Sequence, residues 1–313
     1  MIYVKIQGGL GNQLYQMFFG YELASILNRE VTFDFTRLVD GWEKLDEEQK
    51  HRMLTVNLYG SLESKFKSWK SHGWEKEKDF HFFVEPRVSD TQNYIDFWNN
   101  INLKIEELKG VDPEKPIYVD GHWQSYSYTP KKVEYFRRYL DNIEASDSKI
   151  KYAIENADVS CCINVRRGDY ITHHKGFFYE CTMENYFNKA IELVNSRYKY
   201  TGKTVQYFIF SDQLDWCKEN FKGDNMHIVD HSYAGENFTE YLDLMRRCDN
   251  FIIPNSTFAI WAAITSKDTN CEGAFSRPRT VVAPSKWYVS NDLVPNPLTH
   301  SIANFKTASW EII

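Results

Sequence analysis

A chain of 313 residues, 42% hydrophobic and 26% charged, is globular in composition and long enough for two hydrophobic cores. Its formal net charge of -6, with no cluster of Lys and Arg, argues against nucleic acid as a partner, and no run of like charges reads as a disordered tail. No stretch approaches the roughly eighteen apolar residues of a membrane span.

In chain order, IYVKI (2–6) reads as a first strand. It starts almost at the N-terminus, without the charged and apolar regions of a signal peptide. GGLGNQ follows, and residues 12–27 then place Leu14, Met17, Phe18, Tyr21, Ala24 and Leu27 along one helical stripe. VTFDF (31–35) is a second strand. Residues 40–115 are charged and aromatic, with a helical YIDFWNNINLKIEELKG, and read as an insertion rather than a regular βαβ unit. IYVDG (117–121) is a third strand, and 129–143 a helix with Pro130 in its first turn.

The polar stretch 144–158 marks a boundary, dividing the chain into domains 1–150 and 151–313. Beyond it the alternation is regular. Strands at 159–165, 205–210, 226–230, 250–254 and 279–284 are separated by helices at 182–198, 213–221, 237–248 and 257–265. Near-continuous apolar strands between helices argue a parallel sheet covered on both faces. The fold class is therefore α/β, in two halves with a cleft between them, and ligands are expected at the carboxyl ends of the strands.

Four strand ends carry candidate chemistry. In GGLGNQ, Gly11 and Asn12 stand at the start of a helix. The third Gly of a dinucleotide fingerprint is Leu14, and a P-loop Lys is missing. The turn can face an anion or a sugar, with Asn12 as N-cap or ligand contact, or it is a capped Gly turn with nothing bound. In NVRRGDY, Arg166 and Arg167 leave a buried strand after Asn164. Such arginines are expensive unless paired, so Asp169 pairs one and a phosphate suits the other; a structural Arg–Asp bridge is the alternative. Ser211 and Asp212 can cap the next helix or accept from a guanine edge or a ribose. Asn255, Ser256 and Thr257 put three small polar side chains at a helix start, more than a cap alone requires. His173 and His174 read as solvated loop residues, and no His/Cys set has metal-ligand spacing. The six cysteines, Cys161, Cys162, Cys181, Cys217, Cys248 and Cys271, form no C-x-x-C pair, which with the missing signal peptide predicts a reducing, cytoplasmic setting.

With these loops in hand, the sequence resembles the α-1,2-fucosyltransferases of glycosyltransferase family 11. Residues 8–16 match the pattern G-G-L-G-N-Q-[LM]-[FY]-Q in full. GHWQSYSY (121–128) resembles G-[YF]-W-Q-S-x-x-Y, and VRRGDY the tail of H-V-R-R-G-D-Y. FIFSDQLDWCKENF, DLMRRCDNFIIPNSTFAIWAAI and VVAPSKWY resemble later family stretches, in order. Departures are Asn164 for a His, Gln213 for an Asp, and Ile260–Trp261 with Ala262 in the stretch after Asn255.

The resemblance implies a glycosyltransferase B type fold, two Rossmann-like domains facing a cleft, with GDP-fucose as donor held by the second half and the acceptor mostly by the first. Carried over by position, Arg166 contacts the β-phosphate, Asp212 the guanosine end, and Asn255, Ser256 and Thr257 surround the diphosphate. Asn164 and Arg167 lie close by, and Gly11 and Asn12 close the cleft. The implied reaction is inverting transfer of L-fucose to a galactoside hydroxyl in α-1,2 linkage, as in O-antigen or capsule biosynthesis, on an oligosaccharide or lipid-linked glycan. Arg166 and Asp169 are the catalytic candidates. The proton acceptor stays open among Asp169, His174, Asp34, Asp120 and His122. No cofactor is implied beyond the donor substrate. No D-x-D motif exists, so a metal-independent enzyme is expected, cytoplasmic and either free or peripheral to the inner membrane face. The alternatives are another nucleotide sugar on the same fold, with Asn164 as its marker, and a non-catalytic sugar-nucleotide or glycan-binding module.

Overall fold

The computed structural model describes residues 1–36, 79–124, 148–235, 238–266, 279–289 and 308–313. The chain divides into two compact units, one on Met1–Lys132 and the other on Val133–Asp292 and Asn296–Ile313, with the short Leu293–Pro295 counted in the first.

The first unit runs β1 (Ile2–Lys5), α1 (Leu10–Leu27), β2 (Val31–Asp34), β3 (His81–Val84), α2 (Thr91–Asn99), α3 (Ile101–Leu108) and β4 (Ile117–Asp120). Its strands pair in parallel in the order β2-β1-β4-β3. β1 and β4 are central, and Ile2, Val4, Ile117 and Val119 are fully buried. α1 packs on this sheet through Gly20, where an added Cβ would stand 2.6 Å from a Val4 methyl. The expected single stripe on α1 is exceeded: its first half is buried nearly all round, including Gln13 and Gln16. The helix opens at Leu10 with Gly9 as N-cap, so Asn12 lies inside the first turn and is not the cap.

The helix expected at 94–110 is two helices broken at Asn100, whose backbone leaves the helical basin and whose side chain takes the Asp96 carbonyl. β3 lies in the stretch expected to be an insertion. It is a four-residue strand with only Phe83 buried, too short for its pattern to stand out. The helix expected at 129–143 lies outside the described residues.

The second unit contains α4 (Lys149–Glu155), β5 (Val159–Val165), α5 (Gly168–Thr172), α6 (Asn188–Tyr198, entered through a π turn at Met183–Phe187), β6 (Val205–Ser211), α7 (Leu214–Asn220), β7 (Met226–Ile228), α8 (Thr239–Arg246), β8 (Asn250–Ile252), α9 (Thr257–Ile264), β9 (Arg279–Ala283) and β10 (Ala308–Ile312). The polar stretch read as the boundary, 144–158, holds α4, capped by Ser148, whose Oγ accepts from Lys151 N. β10 was not foreseen. All six strands pair in parallel in the order β7-β6-β5-β8-β9-β10.

β5 is central, and all seven of its residues are buried, as its unbroken apolar run requires. Val159, Cys161, Ile163 and Val165 point to one face, where Tyr186, Phe187, Ala190 and Val194 close the core. The succession leaves β5 toward β6 and β7 on one side and returns to β8, β9 and β10 on the other. A crevice at the carboxyl ends of β5 and β8 is the position such a reversal creates. Cys161, Cys162, Cys181, Cys217 and Cys248 are free and buried; Cys271 lies outside the described residues.

Candidate active site

Because the sheet is parallel, β5, β6 and β8 release their chains at one end. Residues 166–169, 211–212 and 255–257 belong to that end. The register pairs Val165 with Ser211, so the residues that follow, Arg166 and Asp212, meet. Arg166 donates Nη1 to Asp212 Oδ2 at 2.7 Å, and its Nη2 lies 2.6 Å from Asp169 Oδ1. Asp212 is 8% exposed, and it also accepts from the backbone N–H of Arg167 (3.0 Å) and Gly168 (3.1 Å). It therefore caps α5 from a neighbouring strand, while α7, which it precedes in sequence, starts at Leu214 with Gln213 as an N-cap that makes no side-chain bond. Burial works against the Arg166 charge, and Asp212 and Asp169 more than offset this, so its pKa is raised and the guanidinium is held as a cation.

Arg167 turns away from this pair. It meets Glu180 at 2.5 Å and lies 4.4 Å over the Trp216 ring. Glu180 and Trp216 carried no sequence signal of this role. Tyr170, the last residue of VRRGDY, links two strand ends: its ring lies 5.5 Å from the Arg166 guanidinium and its hydroxyl donates to Asn255 O at 2.7 Å. Asn255 spends both amide hydrogens on the carbonyls of Tyr179 (3.0 Å) and Trp287 (2.8 Å). Ser256 is the N-cap of α9, and Thr257 is its first residue. Ser211 Oγ accepts from Gln213 N, and Asn164, buried, donates to Phe210 O.

In the first unit the loops after β1 and β4 are stitched together. Gln16 Oε1 accepts from Gln7 N (2.9 Å) and Gln16 Nε2 donates to Gly121 O (3.1 Å). Gln13 donates to Gly8 O, and Gly8 has a φ of 77°. Asn12 Oδ1 accepts from Gln124. Gly11 is the second residue of α1. The glutamines of GGLGNQLYQ thus satisfy backbone groups that are buried at Gly121 and partly buried at Gln7 and Gly8.

Glu85, at the end of β3, completes this lattice and was missed by the sequence reading. Its Oε2 accepts from His122 N (2.6 Å) and Trp123 N (3.0 Å), and its Oε1 from Trp98 Nε1. An added Cβ on Gly121 would stand 2.5 Å from Glu85 Cβ, so only Gly fits. Trp123 has a φ of 54°, unusual for an aromatic residue, and stacks on Phe19 at 4.0 Å.

The five proton-acceptor candidates differ in their surroundings. Asp34 accepts from Thr36 and from Tyr118 OH, and Asp120 is gripped through both oxygens by Lys5. Asp169 is paired with Arg166, and His174 packs edge-on to Phe178. His122 is exposed.

Two units, each with an all-parallel, helix-covered sheet, are the domains from which a glycosyltransferase B type fold is made, and the second sheet's strand ends hold two arginines ion-paired with Asp169, Asp212 and Glu180. Comparison with known proteins gives the family. The chain belongs to glycosyl transferase family 11, whose model matches residues 88–273. It is 31% identical over 308 residues to the O-antigen biosynthesis glycosyltransferase WbnK of Escherichia coli, covering 93% of this chain and 96% of that one. It is 24% identical over 313 residues to an α-1,2-colitosyltransferase of Escherichia coli, covering 94% of each. A galactoside 2-α-L-fucosyltransferase, Sec1 of Mus musculus, is 26% identical over 137 residues, 41% of this chain and 35% of its own. Among the described residues no helix is long and apolar enough to cross a membrane.

Desolvation in its half-buried pocket raises the Glu85 carboxyl above its ordinary value, against the pull of the Trp123 and His122 N–H groups and of Trp98 and Tyr94. With the folded value above the unfolded one, this group's contribution to stability is complete below the unfolded value and is lost as pH rises through the raised one. Glu85→Gln removes the titration. Its melting deficit against the native chain should therefore shrink between pH ~4 and pH ~8 in thermal unfolding. A deficit that grows with pH would show that the anion, and not the acid, is the stabilised form.

Proposed function

We propose that this family 11 glycosyltransferase moves a 6-deoxy-L-hexose, L-fucose, from its GDP donor to a galactoside hydroxyl in α-1,2 linkage, with inversion. The observation that carries the reading is the Arg166 guanidinium, fixed from behind by Asp212 at the end of the sheet where the strand succession reverses. The ordered family motifs and the names of the relatives, two of which are α-1,2-colitosyl and 2-α-L-fucosyl transferases, support the sugar class. The name of the first relative supports an O-antigen glycan as acceptor. The closely related reading is colitosyl transfer, favoured by near full-length similarity to the colitosyltransferase.

In this reading the two edges of Arg166 have different tasks. Nη1 stays on buried Asp212. Nη2 rests on Asp169, which is 36% exposed, and exchanges that carboxylate for the donor's β-phosphate. As the glycosidic bond breaks, the sugar acquires oxocarbenium character and negative charge grows on the β-phosphate. A cation already oriented there stabilises the transition state more than the ground state. Ser256 and Thr257 present the positive end of α9 to the same diphosphate, Asn255 ties that end to its neighbours, and Arg167, paired with Glu180, is the neighbouring donor-side arginine. Asn164 and Ser211 line the donor side, and Gly11 and Asn12 belong to the same donor-binding proposal.

Incubation with a panel of nucleotide sugars and galactosides, scoring release of nucleoside diphosphate, tests the donor. GDP-fucose is expected to turn over fastest; a faster GDP-colitose would replace it, and turnover of neither would sink the reading. Arg166→Ala should lower turnover about a hundredfold, near 3 kcal/mol, in a folded protein, with Arg166→Lys recovering only part because an ammonium cannot bond bidentately. Near-normal turnover of the Ala variant would remove Arg166 from the mechanism.

The same electrostatic task is proposed to need no divalent ion, because Arg166 and α9 supply the counter-charge. Activity should then persist in excess EDTA, and magnesium or manganese should change the rate only modestly. Complete loss in chelator, restored by one metal, would transfer the counter-charge from Arg166 to that metal.

A further inference from the structure

α9 is an apolar helix, TFAIWAAI, with no acid in its first turn and no base in its last. Ala259, Ile260, Trp261, Ala262 and Ala263 are buried, so its dipole lies in surroundings that screen it weakly. The negative end is met from another helix. Arg246 of α8 is fully buried and donates Nε to the carbonyl of Thr265, the C-cap of α9, at 2.7 Å. Its Nη1 lies 3.6 Å from Asp243, which also takes Arg247 Nε at 2.8 Å, and Arg247 pairs in turn with Glu155 of α4.

A fully buried guanidinium is costly, and an apolar side chain of similar volume often serves stability as well. At this helix end the guanidinium does what an apolar residue cannot: it donates to the Thr265 carbonyl. The other end of α9 is tied with equal care. Asn255 holds the Tyr179 and Trp287 carbonyls and receives the Tyr170 hydroxyl, while its own Oδ1, buried, has no hydrogen-bond partner among the described residues.

We propose that Arg246 is a positioning residue for the anion site. It fixes the C-terminal end of α9 and neutralises its negative pole, and so sets and strengthens the positive pole at Ser256 and Thr257, roughly 12 Å away along eight residues. Arg246 touches no ligand; it acts through the helix. The inference rests on the reading of that helix start as the diphosphate site.

Calorimetric titration of the full chain with GDP and with guanosine isolates the phosphate contribution as a ratio of two affinities. Arg246→Lys keeps the buried charge on a single donor group. The double variant Asp243→Asn, Arg246→Gln removes both charges together. In the double variant GDP affinity should fall roughly tenfold while guanosine affinity stays within about twofold, and Arg246→Lys should lose about threefold for GDP alone. An unchanged ratio in folded variants overturns the proposal. Equal losses for both ligands also overturn it, leaving Arg246 a purely structural residue. If the double variant does not fold, the ratio in Arg246→Lys decides. A native chain that binds GDP no more tightly than guanosine refutes the diphosphate reading itself, a result distinct from either failure of Arg246.

Discussion

The contact between Asp212 and Arg166 organises the second unit's candidate site. One buried carboxylate takes a guanidinium and two backbone N–H groups, and so joins the ends of β5 and β6 and caps α5 in a single step. Charge-assisted bonds of this kind are roughly twice as strong as neutral ones, and their partners are left with an unpaired charge if the carboxylate is lost. The contact depends in turn on strand register. Val165 pairs with Ser211, and a slip of one residue would send Arg166 to the opposite face of the sheet. Seven buried residues along β5 hold that register.

The arrangement gives the guanidinium two unlike neighbours. Asp212 is buried and fully committed, whereas Asp169 is the more exposed partner on the far edge. Arg166 and Arg167 face three carboxylates, Asp169, Asp212 and Glu180, so the cluster is not an open cationic pocket. Under the proposed function, a phosphate would enter by replacing the Asp169 carboxylate and not by filling a void. In that proposal, anion binding is an exchange of partners for a cation whose orientation is already set by Asp212, which is the condition for stabilising charge that develops during reaction.

Much of this was legible in the sequence, for identifiable reasons. The strands of the second half announce themselves as unbroken apolar runs, and VRRGDY, SD and NST stand directly after three of them. What the sequence could not supply was pairing across the sheet. Asp212 precedes α7 and looked like its cap or a nucleoside contact; its N–H partners belong to α5, 44 and 45 positions earlier. Glu180 and Trp216 sit against Arg167 only after folding. In the first half, Glu85 follows a four-residue strand whose pattern is too short to read, and its partners His122 and Trp123 are 37 and 38 positions away. The family resemblance supplied the ordering of motifs, and the glutamines of GGLGNQLYQ turned out to carry much of that motif's structural meaning.

Asp212→Asn tests the account most directly, because it keeps the shape of the side chain and removes its charge. The measurement is the affinity of the folded variant for GDP against that of the native chain. With the guanidinium no longer held on its Nη1 edge and the cap on α5 weakened, affinity should fall roughly tenfold or more, with the protein still melting cooperatively. An Asp212→Asn protein that folds and binds GDP as tightly as the native chain would contradict the claim that this carboxylate sets the anion site.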